Sequence, residues 1–278
     1  MADWRREEDH MKKLLTLALL CLLWLPSAQA DYIILRPEAE GNPVIVSAEE
    51  GVTVKDWCAI AETDRGGIIE NLWFYAEMVN ELGEWIKPRV EVRLIGPDNK
   101  EYVKDFDAYA LSFRVGPGAT SYLADNLLPK WIWINAEPPQ MTLDGLKRMT
   151  VHIRCDSLED DPLSHLQRVP AENITAEVDR VAPRWMNGQL WETLRVSIHN
   201  GSGEDYLHPA VMVGTYNAQG RLLYADCGFV TDYVGSLILP DGSSVVMDIT
   251  ADSYEGFDLR DFLKQTGETV AEYRCILH

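Results

Sequence analysis

Asn200-Gly-Ser-Gly-Glu-Asp-Tyr-Leu-His-Pro209-Ala-Val-Met-Val-Gly-Thr-Tyr-Asn-Ala-Gln-Gly220-Arg-Leu-Leu-Tyr224 has an echo 120 residues earlier, Asn80-Glu-Leu-Gly-Glu-Trp-Ile-Lys-Pro88-Arg-Val-Glu-Val-Arg-Leu-Ile-Gly-Pro-Asp-Asn-Lys100-Glu-Tyr-Val103. Both leave an Asn, cross a polar Gly-containing loop to a Pro, and enter a Val-x-Val strand. Each then turns on Asn, Asp or Gly into a second apolar run. Period-2 apolar runs separated by turn residues are the mark of strands, and their recurrence is the mark of a duplicated module.

Working outward, further landmarks recur. Gly116-Pro-Gly118 in the first copy answers Leu239-Pro-Asp-Gly242 in the second, and the Pro-to-Pro intervals are 29 and 31 residues. Thr142–Lys147 and Asp258–Gln265 read as short helical segments, each followed by a closing strand, and His152-Ile-Arg-Cys155 matches Glu272-Tyr-Arg-Cys275. Strands are expected at 32–35, 44–46, 52–58, 72–79, 90–95, 102–103, 111–115, 131–134 and 151–155, and in the second copy at 174–178, 194–198, 211–216, 222–224 and 245–249. Asn187-Gly188 is a tight turn flanked by Trp185 and Trp191, residues expected to pair across a hairpin. Many short strands at this spacing predict an all-β chain of two tandem β-sandwich domains, 31–157 and 173–278, each with a short helical turn before its last strand. The acidic, Pro-bounded stretch 158–172 joins them as a linker.

The second copy resembles the FxLYD-type immunoglobulin-like repeats of bacterial envelope proteins. The resemblance rests on Leu194–Ile198, Asn200, Val211–Tyr216, the Gly220 turn, Leu222-Leu-Tyr224 and Leu239-Pro-Asp-Gly242. The nearest counterpart of the name motif, Arg221-Leu-Leu-Tyr-Ala-Asp226, lacks the Phe and separates Tyr from Asp. The resemblance implies immunoglobulin-like sandwiches with an interaction or scaffolding role, and it supplies no catalytic residue.

The first 30 residues read as an export signal. Lys12-Lys13 is the basic segment, Leu14–Leu25 the apolar one, and Ala28-Gln-Ala30 the cleavage site, with Met11 as an alternative start. The apolar run is shorter than a membrane span. Export to a Gram-negative periplasm or the extracellular side, with Asp31 as the mature N-terminus, is the expectation. Past residue 30 the chain holds 21 basic against 40 acidic side chains, so the net charge stays at −19. Such a surface repels phosphate backbones and anionic lipid heads, which argues against nucleic-acid and membrane partners. An envelope protein is the expected partner and a glycan the alternative. Oligomeric state has no sequence signature here.

Four cysteines follow the signal: Cys58, Cys155, Cys227 and Cys275. In an exported chain an even count suggests disulfides, with three connectivities open. Cys58–Cys155 and Cys227–Cys275 keep each bridge within one copy and are the expected pairs.

Sites of chemistry are sparse. The His-Glu-x-x-His, Gly-x-Ser-x-Gly, P-loop and EF-hand patterns do not occur, so no catalytic residue, cofactor or metal is assigned. A hydrolase with an interdomain site finds no supporting motif. His199 and His208 bracket one loop but lack a third ligand. Asp156, Glu159, Asp160 and Asp161 crowd the linker irregularly, as solvated acidic residues do. Trp131 and Trp133, two apart on an expected strand, share one face. Exposed, they would stack on sugar rings, and they are the candidate ligand-binding pair.

Overall fold

The computed structural model describes residues 31–106, 114–128, 134–157, 174–186, 189–207, 210–229, 238–250 and 259–277. The proposed signal, the linker 158–172, Trp131, Trp133, His208 and Glu159–Asp161 lie outside them.

The fold is all-β. The first half carries β1 (Asp31–Leu35), β2 (Val44–Ala48), β3 (Val52–Thr63), β4 (Ile69–Asn80), β5 (Ile86–Ile95), β6 (Glu101–Phe106), β7 (Thr120–Asn126) and β8 (Arg148–Ser157). The second carries β9 (Ile174–Met186), β10 (Gln189–Asn200), β11 (Tyr206–Leu207), β12 (Ala210–Asn217), β13 (Leu222–Phe229), β14 (Ile238–Leu239), β15 (Ser244–Thr250) and β16 (Val270–Leu277). A 3₁₀ turn, Leu143–Gly145, precedes β8, and the helix α1 (Leu259–Thr266) precedes β16. Thr142 caps the first through its hydroxyl, which accepts from the Gly145 N–H.

The duplication is written into the topology. Strand order β3-β4-β7 in one sheet and β8-β5-β6 in the other recurs as β9-β10-β15 and β16-β12-β13. The Ile86–Val115 bridge has its counterpart in the pairing of Tyr206 with Leu239. Among the described residues, two strands of the first half have no counterpart in the second. β1 lies antiparallel beside β3, and β2 lies parallel beside β8.

Asn80 and Asn200 show why both copies begin their echo with Asn. Each is fully buried. The Asn80 side-chain amide donates to the carbonyls of Glu84 (2.8 Å), Val115 (3.0 Å) and Gly116 (3.0 Å), and its oxygen accepts from Leu82 N–H. Asn200 donates to Glu204 and Leu239, both at 2.9 Å, and accepts from Ser202. The two backbones also match: Asn80 O accepts from Gly118 and Asn200 O from Gly242, both glycines at φ +70°. One amide thus ties a strand end to the following loop and to a distant turn, and in doing so satisfies its own buried polar atoms.

The apolar runs lack alternation where both faces are covered. On β4, Leu72, Phe74, Ala76 and Met78 face a core made with β5 and β8, where Val90, Val92, Met149, Val151 and Ile153 are buried. Trp73 and Tyr75 face the other way and join Cys58, Ile60 and Tyr122 in the core of the second half. That second core includes all of Ala210–Val213, Tyr216 and Leu222–Ala225, and β12 is buried along its whole length. The sheet β1-β3-β4-β7 is therefore packed on two sides, against β2-β8-β5-β6 and against the second half.

Three sequence expectations are corrected. The four cysteines are free thiols. Cys58 points into the second core while Cys155 packs on the first, so sheet β1-β3-β4-β7 stands between them. Cys227 and Cys275 lie on strands flanking β12, opposite Met212 and Val213. Two strand spacings of about 4.8 Å separate them, more than a disulfide reaches. The matched Cys tetrapeptides are not equivalent either. Val92 pairs with Val151 and Val213 with Cys275, so Cys275 occupies the place of Val151, four residues from Cys155. Finally, the backbone register sets Trp185 opposite Leu190 and Trp191 opposite Arg184, not opposite each other.

Candidate functional site

The sequence-predicted sites are not drawn together. Among the described residues no group of three His, Cys, Asp or Glu side chains has metal-binding proximity. His199 instead bonds Ser244 across its strand pair at 2.9 Å, and His152 bonds Ser47 in the same fashion at 3.0 Å. Both lie on polar outer faces. Leu128 and Pro138–Met141 line a recess of about 210 Å³ with Asp64, Ile68 and Glu70, and the candidate pair Trp131 and Trp133 lies outside the described residues. Ile134 is 64% exposed.

The densest polar constellation is one the sequence reading missed, at the junction of the halves. Asp56, on β3, holds Arg221 at the β12–β13 turn. The Arg221 Nη2 donates to Asp56 Oδ1 at 2.9 Å and to Glu38 Oε2 at 3.1 Å, while Leu222 N–H donates to Asp56 Oδ2 at 2.7 Å. Asp56, then Glu38, hold the guanidinium more firmly protonated, and Arg221 in turn draws the Glu38 carboxyl below its ordinary range. Arg36, just past β1, donates to Leu222 O (3.0 Å) and meets Glu268 at 3.3 Å. Glu268 also accepts from Asn217 at 3.0 Å.

A second contact sits at the other end of the junction. The Tyr216 hydroxyl donates to Glu77 Oε2 at 2.6 Å and lies 2.9 Å from the Tyr122 hydroxyl. Arg274 stacks over the Tyr216 ring at 3.9 Å and pairs with Glu272. Burial, followed by the bond to Glu77, pushes the Tyr216 hydroxyl far up, and burial raises Tyr122 to about 12. Neither phenol is a proton donor to solvent near neutrality. The thiols are equally quiet: burial lifts Cys58 and Cys155 to about 12 and Cys275 to about 11, and Cys58 Sγ donates to Leu223 O at 3.2 Å.

Chemically, the junction is a clasp. Its cations and carboxylates are engaged with one another across the two halves, with an apolar floor of Cys58, Ile60, Trp73 and Tyr75 beneath. The signal for it was faint: Asp56 follows a Lys in an alternating strand, and Arg221 sits in a turn, each indistinguishable by sequence from a solvated charge. No helix among the described residues is long and apolar enough to cross a membrane. No protein-family model matches the chain, and a search of curated proteins finds no match.

Proposed function

We propose that the chain is an exported, non-catalytic protein of a bacterial envelope that binds or scaffolds another envelope component through its sandwich surfaces. The observation that carries the reading is the clasp. Arg221 with Asp56 and Glu38, Arg36 with Glu268, and Tyr216 with Glu77 hold two copies of one module at a fixed angle over a shared apolar floor. A fixed pair of sandwiches suits a scaffold, whereas substrate turnover between domains usually uses a hinge. The basic-apolar-small pattern of residues 12–30 supports export, and the acidic balance supports a neutral or basic protein partner. The likeness of the second copy to FxLYD-type repeats points the same way.

The test is expression with the native N-terminus in a Gram-negative host, followed by fractionation, N-terminal sequencing and purification of the chain with any stoichiometric envelope component. The expected result is a periplasmic species beginning at Asp31 that carries one such component, unaffected by Trp131→Ala. An unprocessed cytoplasmic chain overturns the export reading. Soluble glycans that shift tryptophan fluorescence, with the shift lost in Trp131→Ala, replace the scaffold with a sugar-binding module.

A further inference from the structure

The strand β1 is shared between the halves. Its backbone belongs to the first, pairing antiparallel with β3 from Asp31–Thr63 to Leu35–Ala59. Its side chains divide: Leu35 enters the first core, whereas Tyr32 and Ile34 pack on the second. The second half also closes its outer edge. The Tyr32 N–H, turned away from β3, donates to Gln265 Oε1 of α1 at 3.3 Å, and the Tyr32 ring meets Phe262 of the same helix edge-on, centroids 5.9 Å apart. Just beyond the strand, Arg36 reaches Leu222 O and Glu268, and Glu38 reaches Arg221. These second-half partners lie 183–233 positions downstream. Beneath them is Cys58, fully buried, its Sγ donating to Leu223 O.

We infer that residues 31–38 form a latch. β1 docks after α1 is in place, and its release opens the junction at the Arg221 end while the Tyr122–Tyr216 contact holds the other. Contacts across more than 180 positions carry the largest loop-closure cost, so they form late and are the first to yield. A five-residue edge strand is also the kind of unit that opens without global unfolding. Pro37, Glu38, Glu40 and Gly41 are exposed, and β2, which follows them, lies in the opposite sheet, so β1 can leave without carrying its successor. Latched, the halves keep one angle; unlatched, they turn about the tyrosine contact and Cys58 meets solvent. This device goes beyond the scaffold reading and acts whatever the chain binds.

A full chain with a site-specific protease sequence inserted after Glu40 tests it. Cleavage should leave β1 as a bound strand that gel filtration of the dilute protein removes. Mass spectrometry should then find Cys58 labelled by a soluble thiol reagent about tenfold faster or more than in the uncut chain, with the amides of α1 exchanging faster and those of β5 and β8 unchanged. A synthetic peptide of residues 31–40 (Asp-Tyr-Ile-Ile-Leu-Arg-Pro-Glu-Ala-Glu) should restore slow labelling. The same peptide carrying Tyr32→Ala and Arg36→Ala should not. Three outcomes overturn the latch: a cut strand that stays bound until the chain unfolds; Cys58 labelling unchanged once the strand has gone; or protection lost in β5 and β8 together with α1, which makes β1 an ordinary strand of the first sheet. The readouts concern the chain alone, so the latch can fail while an envelope component still co-purifies, and it can hold where none is recovered.

Discussion

Gly214 of β12 lies against the ring of Tyr122 on β7: a β-carbon added to the glycine would sit 2.4 Å from Tyr122 Cζ. The glycine is there for space, since its φ is not among the positive ones. It lets a strand of the second half approach the sheet of the first closely enough for Tyr122 to reach Tyr216. Gly214→Ala should destabilise the chain by about 1–3 kcal/mol, as overpacking does, measured by chemical denaturation. Tyr122→Ala in the same chain should absorb part of that cost, so the double mutant should be less destabilised than the two single effects added together.

Arg221 joins Asp56 through a two-nitrogen fork while also holding Glu38. Arg221→Ala should cost about 1–3 kcal/mol, since it leaves the 14%-exposed Asp56 carboxylate with Leu222 N–H as the junction partner that remains. Arg221→Lys should recover only part, because an ammonium cannot serve both carboxylates with the same geometry. Equal stability of Arg221→Ala and the parent chain would show that the clasp contributes nothing.

Acid should loosen the same contact. The hydrogen bond from Arg221 holds the Glu38 carboxyl below its ordinary value of 4.5. A depressed carboxyl stabilises the fold fully above that ordinary value, and its contribution fades as pH falls through the lower folded one. Glu38 is 56% exposed, so the effect at neutral pH should be a few tenths of a kcal/mol, screened by salt. Comparing thermal midpoints of the parent and Glu38→Gln between pH 7 and pH 3 should show a small gap that closes at the acid end.

The thiols offer a direct check on the cores. Denatured without reductant, a chain of residues 31–278 should titrate four thiols, because the pairs Cys58–Cys155 and Cys227–Cys275 are not brought together. In the native chain Cys58, with no exposed surface and a thiol raised to about 12, should be the slowest to react with a soluble disulfide reagent.

Asn80→Ala and Asn200→Ala should each cost about 2–3 kcal/mol, since each removes the buried amide bonds that tie a strand end to its loop and to a distant turn. Asn80→Asp should be no milder, because a carboxylate there meets the carbonyls of Glu84, Val115 and Gly116. Similar losses at the two positions in urea titrations are expected if the two copies use the amide in the same way.

The Asn loops, the Pro-bounded strands, the Gly turns and the short helical segments before the closing strands were legible in the chain itself, because each is a local rule. A buried amide at a strand end, a left-handed Gly at a turn and an alternating Val-x-Val declare themselves within a few residues. β7 was not legible. Tyr122 and Leu123 are neighbours buried on opposite faces, so the period-2 signal that marks a half-exposed strand is absent. Nor was the pairing of cysteines legible, because the repeat in sequence slips by four residues against the repeat in register.

The amino-acid order by itself determined that one β module occurs twice, with its turns and caps. Tertiary structure alone decided how the copies meet: a sheet with two buried faces, a glycine making room for a tyrosine, and charges such as Asp56 and Arg221 finding each other from 165 positions apart. Local chemistry can select a turn or a strand. It cannot specify which of 44 carboxylates an arginine will face, since that depends on the angle at which whole sheets pack.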